Sequence, residues 1–141
     1  MIRNHQGRVI RAGAGKEEFL LNAFHAELLG CAAGLQEAAR LGISRIDIET
    51  DASLVKGALV SNDYTGYQSS EVGGIITETK FLLATDFSSC CFSICNRICN
   101  GVAHSLAALG CDFPSGHIAI WEGAPHEVED MMTSDLAGMN E

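Results

Sequence analysis

The stretch ISRIDIETD, residues 43–51, decides the fold class. Apolar Ile46 and Ile48 alternate with charged side chains, which is the period of a half-buried β-strand. The alternation predicts a strand over 43–50, with Asp51 at its carboxyl end. This position matters because open α/β sheets place their ligands at the carboxyl ends of the strands.

A long helix is predicted before this strand, over 22–41. Asn22 is a suitable N-cap, and Gly42 follows the helix as a C′ residue. Glu27 lies beside the apolar face of this helix, where an acidic side chain calls for an explanation. The apolar face itself is formed by residues that recur at spacings of four, three and four, namely Phe24, Leu28, Cys31 and Leu35.

The other segments alternate between strands and helices. After an N-terminal hairpin (2–12) and a loop (12–18), the pattern predicts a short helix (52–60), a polar loop (61–70), a helix (71–84), a strand (87–95) and a helix over 100–109 closed by Gly110. This order predicts an α/β domain with a mixed sheet covered by helices. We place this domain at 1–111 and a C-terminal extension at 112–141, with a short helix opened by Pro125.

Composition limits the classes of function. The chain has 141 residues, 47% of them hydrophobic, which is enough for a single domain with its own core. Its net charge of -9 disfavours a protein that coats nucleic acid only by neutralising phosphates. An acidic nuclease remains compatible, because bound cations invert the local charge.

The chain has six cysteines, but a secreted disulfide scaffold is not expected. Residues 1–5 open no apolar segment typical of a signal peptide, so we expect a location in the cytoplasm or nucleus, with reduced thiols. No apolar run is long enough to span a membrane. Cys91, Cys95 and Cys99 repeat every four residues, which matches no common zinc motif, so structural thiols are favoured over a zinc or thiol-based protein.

Two carboxylates stand out by position. If Glu27 and Asp51 converge at one edge of the sheet, they can hold a hard divalent cation, which prefers oxygen ligands. The alternatives are structural. Glu27 is then a boundary residue paired with a nearby Arg or Lys, and Asp51 is the N-cap of the helix that follows it.

Five segments, in order, resemble the plant reverse-transcriptase-like branch of the ribonuclease H family. Each segment is short, and it is their shared order and spacing along nearly the whole chain that carry the resemblance. They are Ile2–Ile10, Ala26–Gly42 with Glu27, Ile48–Asp51, Asn96–Ala107 and the tail Ser134–Ala137.

The resemblance implies an endonuclease that cuts the RNA strand of RNA–DNA hybrids with Mg²⁺ or Mn²⁺. On this basis Glu27 and Asp51 are catalytic metal ligands, and Arg97 and Asn100 support the site or contact the backbone of the hybrid. His104 stands where the family pattern has an aspartate. A histidine at this position can still bind metal or transfer a proton.

The chain departs from the family pattern at its start. The family's first strand, which lies in the middle of the sheet and carries the first catalytic aspartate, has no counterpart from Met1 onward. We therefore expect weak or no cleavage. Three outcomes are open. The sheet can close over the vacant position, a partner protein or a second copy can donate a strand to it, or the chain is a fragment of a longer gene product. The alternative is a catalytically dead protein-interaction module on the same scaffold.

Overall fold

A computed structural model describes residues 1–62 and 71–132. Its contacts divide the chain into two compact units, one formed by Met1–Phe19 with Cys95–Glu141 and the other by Leu20–Ile94. We call them the terminal unit and the central unit. Among the described residues, no helix is both long enough and apolar enough to cross a bilayer.

Helix α1 (Ala23–Arg40) opens the central unit, and local signals set both of its ends. The Asn22 side chain accepts a hydrogen bond from the backbone N–H of His25, as expected of an N-cap. Gly42 has a φ of +73°, and its N–H donates to the carbonyl of Ala39, while the next N–H donates to Ala38. This is the Schellman arrangement, which favours glycine and satisfies the last carbonyls of the helix.

Strands β3 (Arg45–Thr50) and β4 (Ser89–Ile94) form a parallel pair in the central unit. Helices α2 (Ser53–Val60) and α3 (Glu71–Asp86) connect them. The helices pack with α1 around an apolar cluster that Phe92 of β4 also contacts. The buried members of this central cluster are Leu28, Val55, Ala58, Leu59, Val72 and Ile76.

The terminal unit is built on a second sheet. Strands β1 (Ile2–Arg3), β2 (Val9–Gly15) and β5 (Ile118–Glu122) are antiparallel, with β2 in the middle. A 3₁₀ turn (Arg97–Asn100) leads into α4 (Gly101–Cys111), and a second one (His126–Val128) follows β5. The buried core of this unit is Val9, Ala12, Val102, Leu106 and Val128.

The predicted α/β fold class is confirmed. Parallel and antiparallel pairs both occur, as in a mixed sheet, yet the described strands form two sheets of three and two strands. No described strand joins β1 to β3.

The glycine-rich segment after Val9 was predicted as a loop from Ala12 onward, which is wrong. Strand β2 continues to Gly15 because β5 pairs with it, Gly13 opposite Ile120 and Gly15 opposite Ile118. The isoleucine side chains cover the space that the glycines leave, since a Cβ on Gly15 would lie 3.2 Å from Cγ1 of Ile118.

Gly110 was predicted to close the helix of the terminal unit, and this is also wrong. It lies inside α4 and is buried, with Cys111 still helical. A Cβ at Gly110 would lie 2.6 Å from the backbone oxygen of Gly15, so glycine is required by the close approach of α4 to β2.

The C-terminal region contains more structure than the expected short helix. Strand β5 was not predicted, whereas Pro125 does precede a helical turn. The predicted boundary between 111 and 112 is not tested by these two units and stays a prediction. Most of the predicted loop over 61–70 and the tail motif Ser134–Ala137 lie outside the described residues.

Candidate functional site

Glu27 lies on α1 in the central unit, one turn from the N-terminus of the helix. It is exposed, although its neighbour Leu28 is fully buried and Phe24 packs against the central cluster. The predicted position beside the apolar face is therefore observed. Its carboxylate is accessible from solvent and is held on a helix whose orientation the core fixes.

The charge of Glu27 also acts on Cys31, one turn further along α1. Burial, above all, and the nearby Cys90 thiol raise the pKa of Cys31 to about 11, and the Glu27 carboxylate adds to the rise. Each of these effects disfavours the thiolate. Cys31 is consequently a poor nucleophile and a poor metal ligand at neutral pH.

Asp51 follows directly on Thr50, the last residue of β3, and is half-buried. The alternative that it caps α2 is wrong, because Ala52 is the N-cap residue and has no side-chain capping bond. The hydroxyl of Thr50 accepts the N–H of Ala52 instead.

The two acids belong to the same unit and flank the same core. Glu27 is next to Leu28 and Asp51 is next to Ala52, and both of these neighbours contact the central cluster. The packing of α1 against the start of α2 thus fixes the backbone that carries each carboxylate. Side chains on a packed scaffold are held more precisely than side chains on free loops.

Two carboxylates are fewer ligands than a metal centre built from side chains alone would need. Mg²⁺ accepts one or two protein carboxylates when water and substrate phosphates supply the other ligands. Within residues 1–62 and 71–132, no group of three or more His, Cys, Asp or Glu side chains is placed to hold a metal ion. If Glu27 and Asp51 hold a divalent cation, water or substrate phosphate must supply its other ligands.

The other three predicted site residues lie in the terminal unit. Arg97 is exposed and Asn100 is half-buried in the 3₁₀ turn before α4. The side chain of Asn96 caps this turn by accepting the N–H of Ile98. His104 is exposed on α4, on the face opposite the buried Val102. The turn therefore presents a guanidinium and an amide, both of which can donate to phosphate oxygens.

The cysteines do not support the zinc alternative. None of the six cysteines, all of which lie in the described part of the chain, is in a disulfide, and the thiols of Cys90, Cys91 and Cys111 are exposed. The expectation that the strand thiols pack in the core is therefore wrong for Cys90 and Cys91, because β4 is covered mainly where Phe92 meets the helices. Thiols spread over an exposed strand are not a metal cluster.

One histidine has a structural role that the sequence reading missed. His25 is 2% exposed, and its Nδ1 accepts the N–H of Leu21, just ahead of α1. The signal that points to it is the N-cap pattern, since Asn22 bonds the N–H of the same residue. His25 closes the first turn of the helix that carries Glu27.

The order of elements and the position of an acid at the carboxyl end of β3 define a ribonuclease H-like α/β domain. The sequence model of a family described as "Reverse transcriptase-like" matches residues 1–110. The chain belongs to this family, and its plant origin stays a prediction. Neither the curated proteins nor the solved structures give a significant match.

Proposed function

We propose that this chain is a nucleic-acid-binding domain that recognises RNA–DNA hybrids and cleaves them weakly or not at all. The observation that carries the proposal is the family match over 1–110 together with Asp51 at the carboxyl end of β3. Glu27 on α1 is the second acid expected of such a domain. We further propose that the protein acts in the cytoplasm or nucleus.

Binding would rest on local donors, because the net charge of -9 gives no general attraction to phosphate. Arg97 suits a backbone phosphate, since its planar guanidinium can bond two oxygens at once. Asn100 can add an amide donor from the same turn. His104, in the first turn of α4, can donate a hydrogen bond to the substrate or take up a proton from it.

Weak cleavage follows from the number of acids. Loss of a residue that only supports a metal ligand typically costs about 10–100-fold in affinity or activity. Loss of a ligand itself costs at least as much, and this chain offers two candidate carboxylates where the family uses more. Any residual cleavage would require Mg²⁺ or Mn²⁺ bound jointly by Glu27, Asp51 and substrate phosphate.

The test is a cleavage assay on a fluorescent RNA–DNA hybrid with Mg²⁺ and with Mn²⁺. Wild type would be compared with Glu27→Gln and Asp51→Asn, and with Glu78→Gln at an exposed position of α3 as the control for charge. We expect product at least about 100-fold below that of a hybrid ribonuclease with its full set of acids. Robust turnover that Glu27→Gln abolishes and Glu78→Gln preserves would overturn the claim of weak cleavage.

A second candidate, the dead protein-interaction module, is favoured by the net charge of -9. Thermal melts in increasing Mg²⁺ separate it from the first, because a ligand that binds only the folded state raises its midpoint. A rise in wild type that is lost in Asp51→Asn supports a cation-assisted nucleic-acid domain. An unchanged midpoint in both proteins, with no binding of hybrid, supports the interaction module.

A further inference from the structure

The charges of this acidic chain are unevenly distributed. Residues 1–16 hold four of the nine Lys and Arg residues and none of the eighteen Asp and Glu residues. The structure makes this segment the β1–β2 hairpin of the terminal unit. The basic residues are Arg3, Arg8, Arg11 and Lys16.

Two of these cations are used within the unit. The Lys16 ammonium donates to the carbonyl of Cys111 at the end of α4, with 2.9 Å between the atoms. The Arg11 guanidinium lies 4.0 Å from the Glu122 carboxylate of β5. Their charges are therefore offset by a helix terminus and by an acid.

The turn of the hairpin has a different environment. His5, Gln6 and Arg8 are all exposed. We call residues 4–8 the hairpin tip. All three exposed side chains can donate hydrogen bonds, and Arg8 carries the permanent charge.

The tip is also rigid. The Asn4 side-chain oxygen accepts the N–H groups of both Gln6 and Arg8, each at 3.0 Å. The backbone of Asn4 adds two more bonds, its N–H to the carbonyl of Arg8 and its carbonyl to the N–H of Gly7. A ligand that meets such a tip pays little ordering cost for the backbone that carries Arg8.

We propose that the hairpin tip binds a phosphate of the nucleic-acid backbone through Arg8, a contact that rests on the proposed function. Arg and Gln side chains are common donors to backbone phosphate and sugar. The tip has no Trp, Tyr, Phe or aliphatic side chain that would anchor a protein partner, and large apolar anchors are common at the centre of protein interfaces. An anionic backbone is therefore the better match for this surface than an acidic protein.

The experiment is fluorescence anisotropy of a labelled RNA–DNA hybrid over a range of salt concentrations. Arg8→Ala is compared with wild type and with Arg40→Ala, which removes the same charge from an exposed position on α1. We expect Arg8→Ala to weaken binding about tenfold and to lower the slope of log K against log salt by about 0.9. Arg40→Ala should leave both nearly unchanged.

Two further variants separate geometry from charge. Arg8→Lys keeps the charge and should retain most of the salt slope, because Lys also binds phosphate as a point charge. Asn4→Ala keeps all charges but removes the two side-chain bonds that help to order the tip, so it should weaken binding with little change in slope. Circular dichroism melts confirm that each variant is folded.

The outcomes distinguish this contact from the function on which it rests. Binding by wild type that Arg8→Ala leaves unchanged overturns the tip contact alone. Equal losses in Arg8→Ala and Arg40→Ala also overturn it, because overall charge then explains the effect. No binding by folded wild type overturns the proposed function and the tip contact with it. Binding of an acidic polypeptide in preference to hybrid, lost in Arg8→Ala, assigns the tip to a protein partner and overturns the nucleic-acid contact.

Discussion

Replacing Gly110 by alanine tests how closely α4 packs on β2 in the terminal unit. The added Cβ would lie 2.6 Å from the Gly15 oxygen and 3.2 Å from its nitrogen. Real Cβ atoms essentially never come within 3.0 Å of another heavy atom in this way. Both contacts are to backbone, so a side-chain rotation cannot relieve them and the helix or the strand must shift.

The expected cost follows from two opposing effects. Overpacking in a tight core costs about 1–3 kcal/mol, and contact with backbone belongs at the upper end of that range. Alanine returns about 1 kcal/mol through its better helix propensity. We expect a net loss of about 2 kcal/mol, which for a chain of this size lowers Tm by about 4–8 °C.

The same substitution elsewhere supplies a matched control. Gly30 lies within α1, and a Cβ there would meet nothing within 4 Å. Gly30→Ala should therefore raise Tm by about 2–4 °C. Both variants would be followed by circular dichroism during thermal and urea unfolding. A Gly110→Ala protein that melts at or above wild type, while Gly30→Ala behaves as expected, refutes the close packing of α4 on β2.

Three other predictions concern single side chains. Asn22→Ala removes the cap of α1, and a loss of about 1 kcal/mol should appear in urea unfolding, whereas an unchanged midpoint contradicts the capping bond. At pH 8 iodoacetamide should modify exposed Cys111 long before Cys31, and peptide mapping measures both reactions. Because the pKa of Cys31 is raised from its ordinary value of 9.0 to about 11, the stability that the protonated thiol gives is lost as pH rises between these two values. The Glu129 carboxylate accepts a hydrogen bond from the His126 ring and raises the pKa of that histidine, so the stabilising effect of the pair is full below pH 6.5 and disappears as pH rises through the raised pKa. In Glu129→Gln the pKa of His126, measured by NMR titration, should fall towards 6.5, and an unchanged pKa contradicts the pairing.

Local signals account for what the sequence predicted well. The N-cap Asn22 and the C′ residue Gly42 set the ends of α1 through contacts within a few residues, so the pattern alone locates them. The alternation around Ile46 and Ile48 likewise predicts β3, and with it the position of Asp51. Helix α1 carries Glu27 and Asp51 directly follows β3, so the sequence pattern alone points to both carboxylates.

Contacts between distant segments account for most of what the sequence did not predict. Strand β5 depends on pairing with β2, more than a hundred residues earlier, and this same pairing keeps Gly13 and Gly15 extended. Glycine is common just after the end of a helix, and only the close approach of β2 explains why Gly110 lies inside α4. Cys90 is exposed because the helices cover a different part of β4. The alternation of side chains along a strand does not reveal which part that is.

The central claim is that an acidic domain of this family still binds nucleic acid. The most direct measurement is the anisotropy of a labelled RNA–DNA hybrid titrated with the 141-residue chain at about 50 mM salt, where phosphate contacts are strong. The account predicts saturable binding with a Kd of about 1–100 μM that weakens as salt increases. Absence of binding by the folded protein at about 1 mM, well above this range, would contradict it.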